Sequence, residues 1–434
     1  MIDQILKHFD ITKLNPMQEA ALNAIQPGKD VILLSPTGSG KTLGFLLPLL
    51  RMLDDRQPGV QAMVIAPSRE LAIQTGEVFK KMQTGYKVIT AYGGHAMRIE
   101  RNNLTEPPAL IVGTPGRIAD HLKRNTFDPA VISALILDEF DKSLELGFAA
   151  EMKFIIAQLN NLRTRVLTSA TMLNEIPEFT GVQNPLLLDF TLSAPPLKLN
   201  FSALRALNQD KLQLLFHLLC TLGNEPGLIF CNHRDTVERI SELLNGKGII
   251  HGIYHGGLDQ AQRELALIRF RNGTHHILIT TDLASRGLDV PEIMHIIHYQ
   301  IPATASVLTH RNGRTARMHA SGTAWLLLGI NDVVPEFIEP PPVLIQLPES
   351  VNLPQPTPWE TVYLSLGKKD KVNKGDVAGF LIQKGELPAD ALGRIEVMDH
   401  MAFAAVKRPF CHKMLRKIRG HPLKKKAVRV DLAG

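Results

Sequence analysis

The sequence predicts an α/β protein, two parallel-sheet domains in tandem followed by a small α+β domain of ferredoxin-like topology. Three observations carry this. Short apolar runs alternate with amphipathic helical patterns from residue 1 to about 190, and again from near Asp210. A glycine-rich loop lies between an apolar strand and an apolar helix near the start of the chain. The last segment runs strand, helix, strand, strand, helix, strand. A chain of 434 residues fits about three domains. The divisions expected are a phosphate-loop domain over 1–192, a linker over 193–207, a second α/β domain over 208–334, a Pro-rich linker over 335–358 and a small domain over 359–434.

The glycine-rich loop is Ser35-Pro36-Thr37-Gly38-Ser39-Gly40-Lys41-Thr42. It follows Val31 to Leu34, which reads as a buried strand, and opens a helix from Leu43 to Leu53. Glycines let the backbone turn with its N–H groups inward, with no Cβ in the way of a phosphate. The helix N-terminus adds partial positive charge. Lys41 would reach the β- and γ-phosphates and the Thr42 hydroxyl would ligate Mg²⁺.

In the first half the strands expected after Val31 to Leu34 are Ala62 to Ala66, Lys87 to Ala91, Ala109 to Val112, Ala134 to Leu137 and Val166 to Leu167. Ligands of such sheets bind beyond the carboxyl ends of the strands, which is where the polar motifs fall. Before the loop stands Leu14-Asn15-Pro16-Met17-Gln18, and the Gln18 amide can bond both a donor and an acceptor of an adenine edge. Pro67-Ser68-Arg69 marks a strand-to-helix turn with two open readings, a nucleic-acid phosphate site or a plain Ser N-cap. Gly93-Gly94 and Thr114-Pro115-Gly116-Arg117 repeat the theme after later strands, making a track for a phosphodiester backbone. Asp138-Glu139-Phe140-Asp141 ends another apolar strand. Asp138 would hold Mg²⁺ through water, and Glu139 would orient and deprotonate the attacking water. Thr168-Ser169-Ala170-Thr171 follows the next strand, within reach of that acidic turn.

These motifs, in this order, resemble the DEAD-box RNA helicases. The signature tetrad carries Phe140 where the family usually has Ala, and every acid is kept. Ile11 stands where the family usually stacks an aromatic on adenine, which would put more weight on Gln18. The resemblance implies two RecA-like domains that close over ATP and RNA. Pro36, Thr37, Gly38, Ser39, Gly40, Lys41 and Thr42 would hold ATP together with Gln18, and Asp289 would contact the ribose. Arg314 and Arg317, in His310-Arg311-Asn312-Gly313-Arg314-Thr315-Ala316-Arg317, would contact the γ-phosphate and complete the catalytic set with Lys41, Asp138 and Glu139. His310 and Arg311 would couple the nucleotide to the acidic turn and to Ser169 and Thr171, with Asp141 on the same path. RNA would meet Pro67, Ser68, Arg69, Gly93, Gly94, Thr114, Pro115 and Arg117 in the first half. In the second it would meet Gln260, Arg263, Thr280, Thr281, Arg286 and Gly287.

The second half has strands expected over Gly227 to Cys231, Ile249 to Tyr254, Ile277 to Thr280 and Ile293 to Tyr299, and no phosphate loop of its own. Asn184 to Leu199 is Pro- and Leu-rich without a period and reads as linker; so does Pro335 to Pro358. From Trp359, strands are expected over Thr361 to Leu366, Arg394 to Met398, Met401 to Val406 and Ala427 to Val430. Helices are expected over Lys374 to Gln383 and Arg408 to Arg419. This is RRM-like topology, but its third strand holds Phe403 without the full set of base-stacking aromatics. Lys368, Lys369, Lys371 and Lys424 to Lys426 supply positive charge. The segment resembles the C-terminal RNA-binding domain of the DbpA subgroup of bacterial DEAD-box helicases, which implies a hairpin of large-subunit ribosomal RNA as target.

The net charge of +6 and pI of about 9.1 favour a polyanionic partner. Hydrophobic residues make up 44% of the chain, enough for ordinary cores. Three separated cysteines exclude a disulfide framework and a zinc ribbon and point to a reducing compartment. The segment MIDQILKHFD lacks the apolar run of a signal peptide, and no run has the length of a membrane span. With the resemblance above, a monomeric cytoplasmic ATP-dependent RNA helicase is expected, with ATP and Mg²⁺ as cofactors and structured RNA as partner. Two other readings stay open: an ATP-dependent RNA clamp that unwinds little, motivated by Phe140 and Ile11, and a DNA helicase.

Overall fold

The computed structural model describes residues 2–36, 38–94, 97–172, 175–191, 199–206, 210–285, 293–315, 322–348 and 350–434. They fall into two compact units, one built from the first half of the chain and one from the second half with the C-terminal module.

The first unit is a seven-stranded parallel sheet. Its strands are β1 (Val31–Leu34), β2 (Ala62–Ile65), β3 (Val88–Ala91), β4 (Leu110–Gly113), β5 (Ala134–Leu137), β6 (Thr164–Ser169) and β7 (Leu186–Asp189), in the order β3-β4-β2-β5-β6-β1-β7. Side chains alternate across a strand, so each apolar run feeds two cores. Val31, Leu33, Val64, Val112 and Ile136 face one buried layer. Ile32, Leu34, Ile65, Ile111 and Leu137 face the other. The helix after the loop spans Lys41–Leu50, two residues earlier than Leu43 and short of Leu53.

The second unit repeats the plan with β8 (Leu199–Arg205), β9 (Gly227–Phe230), β10 (His251–Tyr254), β11 (Ile277–Thr280), β12 (His295–His298), β13 (Gly322–Leu328) and β14 (Val343–Leu344). The order is β10-β11-β9-β12-β13-β8-β14, again all parallel. Three linker assignments need correction here. Leu186–Asp189 forms β7 on β1, residues 199–205 form β8 between β13 and β14, and Val343–Leu344 pair with β8. β7 and β14 lie at sheet edges, where Leu186, Leu187, Val343 and Leu344 are exposed, and β8 carries Asn200 and Ser202. The three-residue apolar runs from Leu186 to Leu188 and from Val343 to Ile345 each follow proline and read as linker, and β8 has no unbroken run.

The C-terminal module contains β15 (Trp359–Leu364), β16 (Leu392–Val397), β17 (Ala402–Lys407) and β18 (Val430–Leu432), antiparallel in the order β16-β17-β15-β18. Helices Lys374–Gln383 and Arg408–Ile418 cover one face through Val362, Leu364, Ala404 and Val406. The last strand begins at Val430, later than Ala427; the Arg429 N–H just before it donates to the Ser365 hydroxyl.

The other face of this sheet is covered too. Phe403, with Tyr363 beside it, packs on Ile268 of the helix Gln260–Arg271. Around this contact Thr274 and Thr361 share a hydroxyl bond of 2.7 Å, Asn272 Nδ2 donates to Thr361 Oγ1 at 3.2 Å, and Arg408 Nη2 donates to the Thr274 carbonyl at 3.0 Å. Arg271 pairs with Glu396 at 2.8 Å. Phe403 is 5% exposed, so its ring is a docking residue and not an open base-stacking platform.

Candidate active site

Because all strands of the first sheet run parallel, their carboxyl ends share one edge, and the polar motifs collect there. The loop after β1 turns through Gly38 and Gly40, both at positive φ (80° and 84°). A Cβ on Gly40 would lie 2.6 Å from Gln18 Nε2. Lys41 Nζ donates to the Ser35 carbonyl and, at 2.9 Å, to that of Pro36. Ser35 Oγ bonds Ser39 Oγ at 2.7 Å. Thr42 follows on the first turn of the helix, half-buried.

Gln18 is buried, and both ends of its amide bond backbone. Oε1 accepts from Asn15 N at 3.1 Å and Nε2 donates to the Gly40 carbonyl at 3.2 Å. Asn15 caps the same helix and reaches the Ser39 carbonyl at 2.9 Å. The motif before the loop therefore clamps the loop itself, a task that its reading as an adenine contact leaves out. Ile11 packs on the core beside it.

Asp138 and Glu139 leave the end of β5. Glu139 sits at φ 45°, ψ 53°, a left-handed conformation that costs a non-glycine residue of order 1–3 kcal/mol. It caps the helix Phe140–Glu145. Phe140 is fully buried against the layer that holds Leu137, Met152, Ile155 and Leu167. The aromatic ring thus points into the core, and the acids on either side do not share its direction. Burial pushes the Asp138 carboxyl up, while the Thr168 hydroxyl, the Lys41 ammonium and the Glu139 N–H pull it down. From the next strand end, Thr171 Oγ1 donates to Asp141 Oδ2 at 3.2 Å, and Ser169 Oγ both donates to the Thr171 carbonyl (2.6 Å) and accepts from its N–H (3.1 Å).

The donor set fits a divalent cation. Asp138 is a buried carboxylate whose Oδ1 takes the bonds from Thr168 and Glu139, and Oδ2 stands outside them. Among the described residues no group of three or more His, Cys, Asp or Glu could hold a metal ion. A cation at Asp138 would draw its remaining ligands from phosphate, water and the Thr42 hydroxyl.

Along the same edge, Ser68 is an N-cap, its Oγ accepting from Leu71 N at 3.2 Å. Pro67 is buried, and the Arg69 guanidinium lies against Gly93, where a Cβ would come 3.2 Å from Nη2. Gly94 takes φ 106°. Thr114 and Pro115 open the next helix, with Thr114 N bonded to the Ala91 carbonyl at 3.0 Å. Arg117 donates through Nε to Glu100 at 2.6 Å. Glu100, which sequence reasoning did not single out, is 2% exposed and also bonds Tyr92 N (3.1 Å) and His121 Nε2 (2.7 Å). It ties the Gly93-Gly94 turn to the Arg117 helix.

In the second unit Arg311, on the helix Ala305–Asn312, is wholly buried. Its guanidinium grips Asp282 at 2.6 and 3.1 Å, Asn232 Oδ1 at 2.8 Å and the Gln300 carbonyl at 3.1 Å, and lies over Phe230. Those bonds make it a brace of its own domain, beyond the coupling role expected of it. His310 and Arg314 are also buried. Thr280 Oγ1 donates to the Tyr254 carbonyl at 2.6 Å, leaving the half-buried Thr281 at the turn. Gln260 opens its helix and accepts from Arg263 Nη2 at 2.6 Å. Thr37, Arg286, Gly287, Asp289 and Arg317 lie outside the described residues.

Residues 15–179 match the model for DEAD/DEAH box helicases, 210–319 that for the helicase conserved C-terminal domain and 361–432 that for the DbpA RNA binding domain. The ATP-dependent RNA helicase DbpA of Escherichia coli K12 is 32% identical over 446 residues, spanning 98% of this chain and 96% of that protein. The ATP-dependent RNA helicase DeaD of E. coli K12 is 34% identical over 319 residues, 72% of this chain and 50% of that protein. Among solved structures, S. cerevisiae Dbp5 bound to RNA and ADP BeF3 matches with a TM-score of 0.67 at 26% identity, covering 75% of this chain and 87% of that one.

Proposed function

The chain belongs to the DbpA-like DEAD-box ATP-dependent RNA helicases, and from that premise we propose how its residues carry out the work. ATP phosphates enter the loop of residues 36–42, gripped by backbone N–H groups and Lys41. Asp138 and Thr42 hold Mg²⁺, which when bound neutralises phosphate charge. Glu139 accepts a proton from the attacking water, its carboxylate set by the left-handed turn. Asp141, Ser169 and Thr171 form one bonded group that links this turn to the next strand end. Gln18 holds the loop and reads adenine with its second amide proton and second carbonyl lone pair. Arg314 and Arg317 supply guanidinium charge to the γ-phosphate, and Asp289 meets the ribose.

The phosphodiester backbone of one RNA strand lies on the turns at Ser68, Arg69, Gly93, Gly94 and Thr114, and on the turns of the second half. Bending that strand opens short duplexes. The tail holds a structured RNA, with a large-subunit ribosomal hairpin as its target and subunit assembly as its setting. Tethering raises the effective concentration of neighbouring helices. The working form is a cytoplasmic monomer.

The observation that carries this reading is the gathering of Lys41, Asp138, Glu139, Asp141 and Thr171 at one edge of one parallel sheet. Glu139→Gln is expected to abolish turnover while trapping single-stranded RNA in the presence of ATP, read by gel shift and phosphate release. Normal turnover in that variant removes Glu139 from the chemistry. The clamp reading loses one of its two motives, because Phe140 packs into the core. ATPase activity with no displacement of a short duplex beside a hairpin would restore it. Stimulation by matched DNA equal to that by RNA would favour the DNA reading.

A further inference from the structure

Thr168 is the penultimate residue of β6 and is fully buried. β6 pairs with β5 so that Leu167 lies opposite Leu137, which brings Thr168 level with Asp138. Its hydroxyl donates to Asp138 Oδ1 at 2.5 Å and accepts from the Glu139 backbone N–H at 3.2 Å. That N–H also reaches Asp138 Oδ1 at 3.1 Å, so one hydroxyl, one carboxylate oxygen and one amide close a small ring of bonds. A hydroxyl has one proton, and an ionised carboxylate only accepts. The direction of every bond in the ring is therefore fixed when Asp138 is charged.

Resting on the ATPase reading above, we propose that Thr168 is a positioning residue for hydrolysis, its hydroxyl fixing the rotation of the Asp138 carboxylate and the backbone turn at Glu139. A carboxylate rotates easily about its last torsion, which is broad rather than staggered. Bonding Oδ1 to a strand residue stops that rotation and aims Oδ2 in one direction. The same hydroxyl holds the N–H of a residue at φ 45°, a conformation that persists only where its surroundings enforce it. No other described side chain bonds Asp138. Phosphate binding by the loop on β1 does not involve Thr168, so its loss should slow the reaction more than it weakens nucleotide binding.

The test uses the full chain with Thr168→Val, which keeps shape and removes the hydroxyl, Thr168→Ala, which avoids pressing a methyl on the carboxylate, and Thr168→Ser, which restores the hydroxyl. A charge-assisted bond of this kind sets the expected scale at about 10- to 100-fold in kcat with KM for ATP nearly unchanged. Independently of turnover, binding of a fluorescent ADP titrated against Mg²⁺ should need several-fold more Mg²⁺ in the Val and Ala variants. Thr168→Ser should recover most of both. Wild-type kcat in either folded variant without the hydroxyl, or a loss in Thr168→Ser equal to that in Thr168→Val, overturns the role. If Glu139→Gln is inactive in the same assay, the ATPase reading survives that failure. Turnover in Glu139→Gln overturns the reading and the positioning role together.

Discussion

Phe140 stands between two acids and shares neither their direction nor their chemistry. Its ring is one of the largest fully buried side chains, and it closes the core layer beneath β5 and β6. Phe140→Ala should therefore cost about 3–5 kcal/mol of stability in the first unit, the usual range for truncating a buried aromatic. Urea unfolding would read the loss, and kcat per folded molecule should fall far less than in Glu139→Gln. An unchanged unfolding midpoint would mean the ring is not a core residue. Its neighbours explain what the sequence makes legible at this scale. Lys41, Asp138 and Glu139 can be recognised because each belongs to a short string with its own geometry. The bonds of Glu100 and Asp282 cannot, because their partners stand 17 and 29 residues away and meet them only between elements. Thr168 lies between the two cases: its motif, Thr168-Ser169-Ala170-Thr171, places it within reach of the acidic turn, but which acid its hydroxyl bonds shows only in the structure.

Most elements buried on both faces are readable from their apolar runs, and β1, β2, β5 and β11 fall where those runs lie; β13, interior to its sheet with a run from Ala324 to Leu328, is not among the strands expected. The edge strands β7 and β14 are not, because their three-residue apolar runs directly follow Pro185 and Pro342 and read as linker. The second sheet also contains buried histidines whose consequence belongs to this scale. His298 on β12 donates or accepts through Nε2 with Asn312 at 2.9 Å. Burial, with Arg311 nearby, holds its pKa down to about 3. His275, just before β11, is held down to about 3 by burial and by surrounding cations including Arg269 and Arg408. In the unfolded chain both titrate near 6.5. The folded form refuses a proton that the unfolded form takes, so stability is full above about 6.5 and falls as pH drops towards 3. At pH 5 each histidine should cost about 2 kcal/mol. Urea unfolding of the second unit at pH 7.5 and pH 5.0 checks this, and His298→Leu should make the pH slope shallower. Equal stability at the two pH values would contradict the buried neutral state.

The C-terminal module and the second sheet form one unit, and the helix Gln260–Arg271 joins them. Its first turn carries Gln260 and Arg263, proposed to face RNA, and its far end carries Ile268 and Arg271, which hold the module. Deleting Trp359 to Gly434 would therefore do more than remove a tether. It would bare Ile268 and leave Asn272 and Thr274 without their bonds to Thr361. The truncated chain should unfold its second half at lower urea and bind plain single-stranded RNA more weakly, even though such RNA lacks any hairpin for the tail. A milder probe separates docking from folding. Arg271→Glu places two acids face to face, and Arg394, 3.0 Å from Glu396, offsets that only in part. Pairing it with Glu396→Arg should recover the docked state, seen as restored resistance of residues 335–358 to protease. Truncation with no change in single-strand affinity and no loss of stability would show that the helix does not depend on the module it carries.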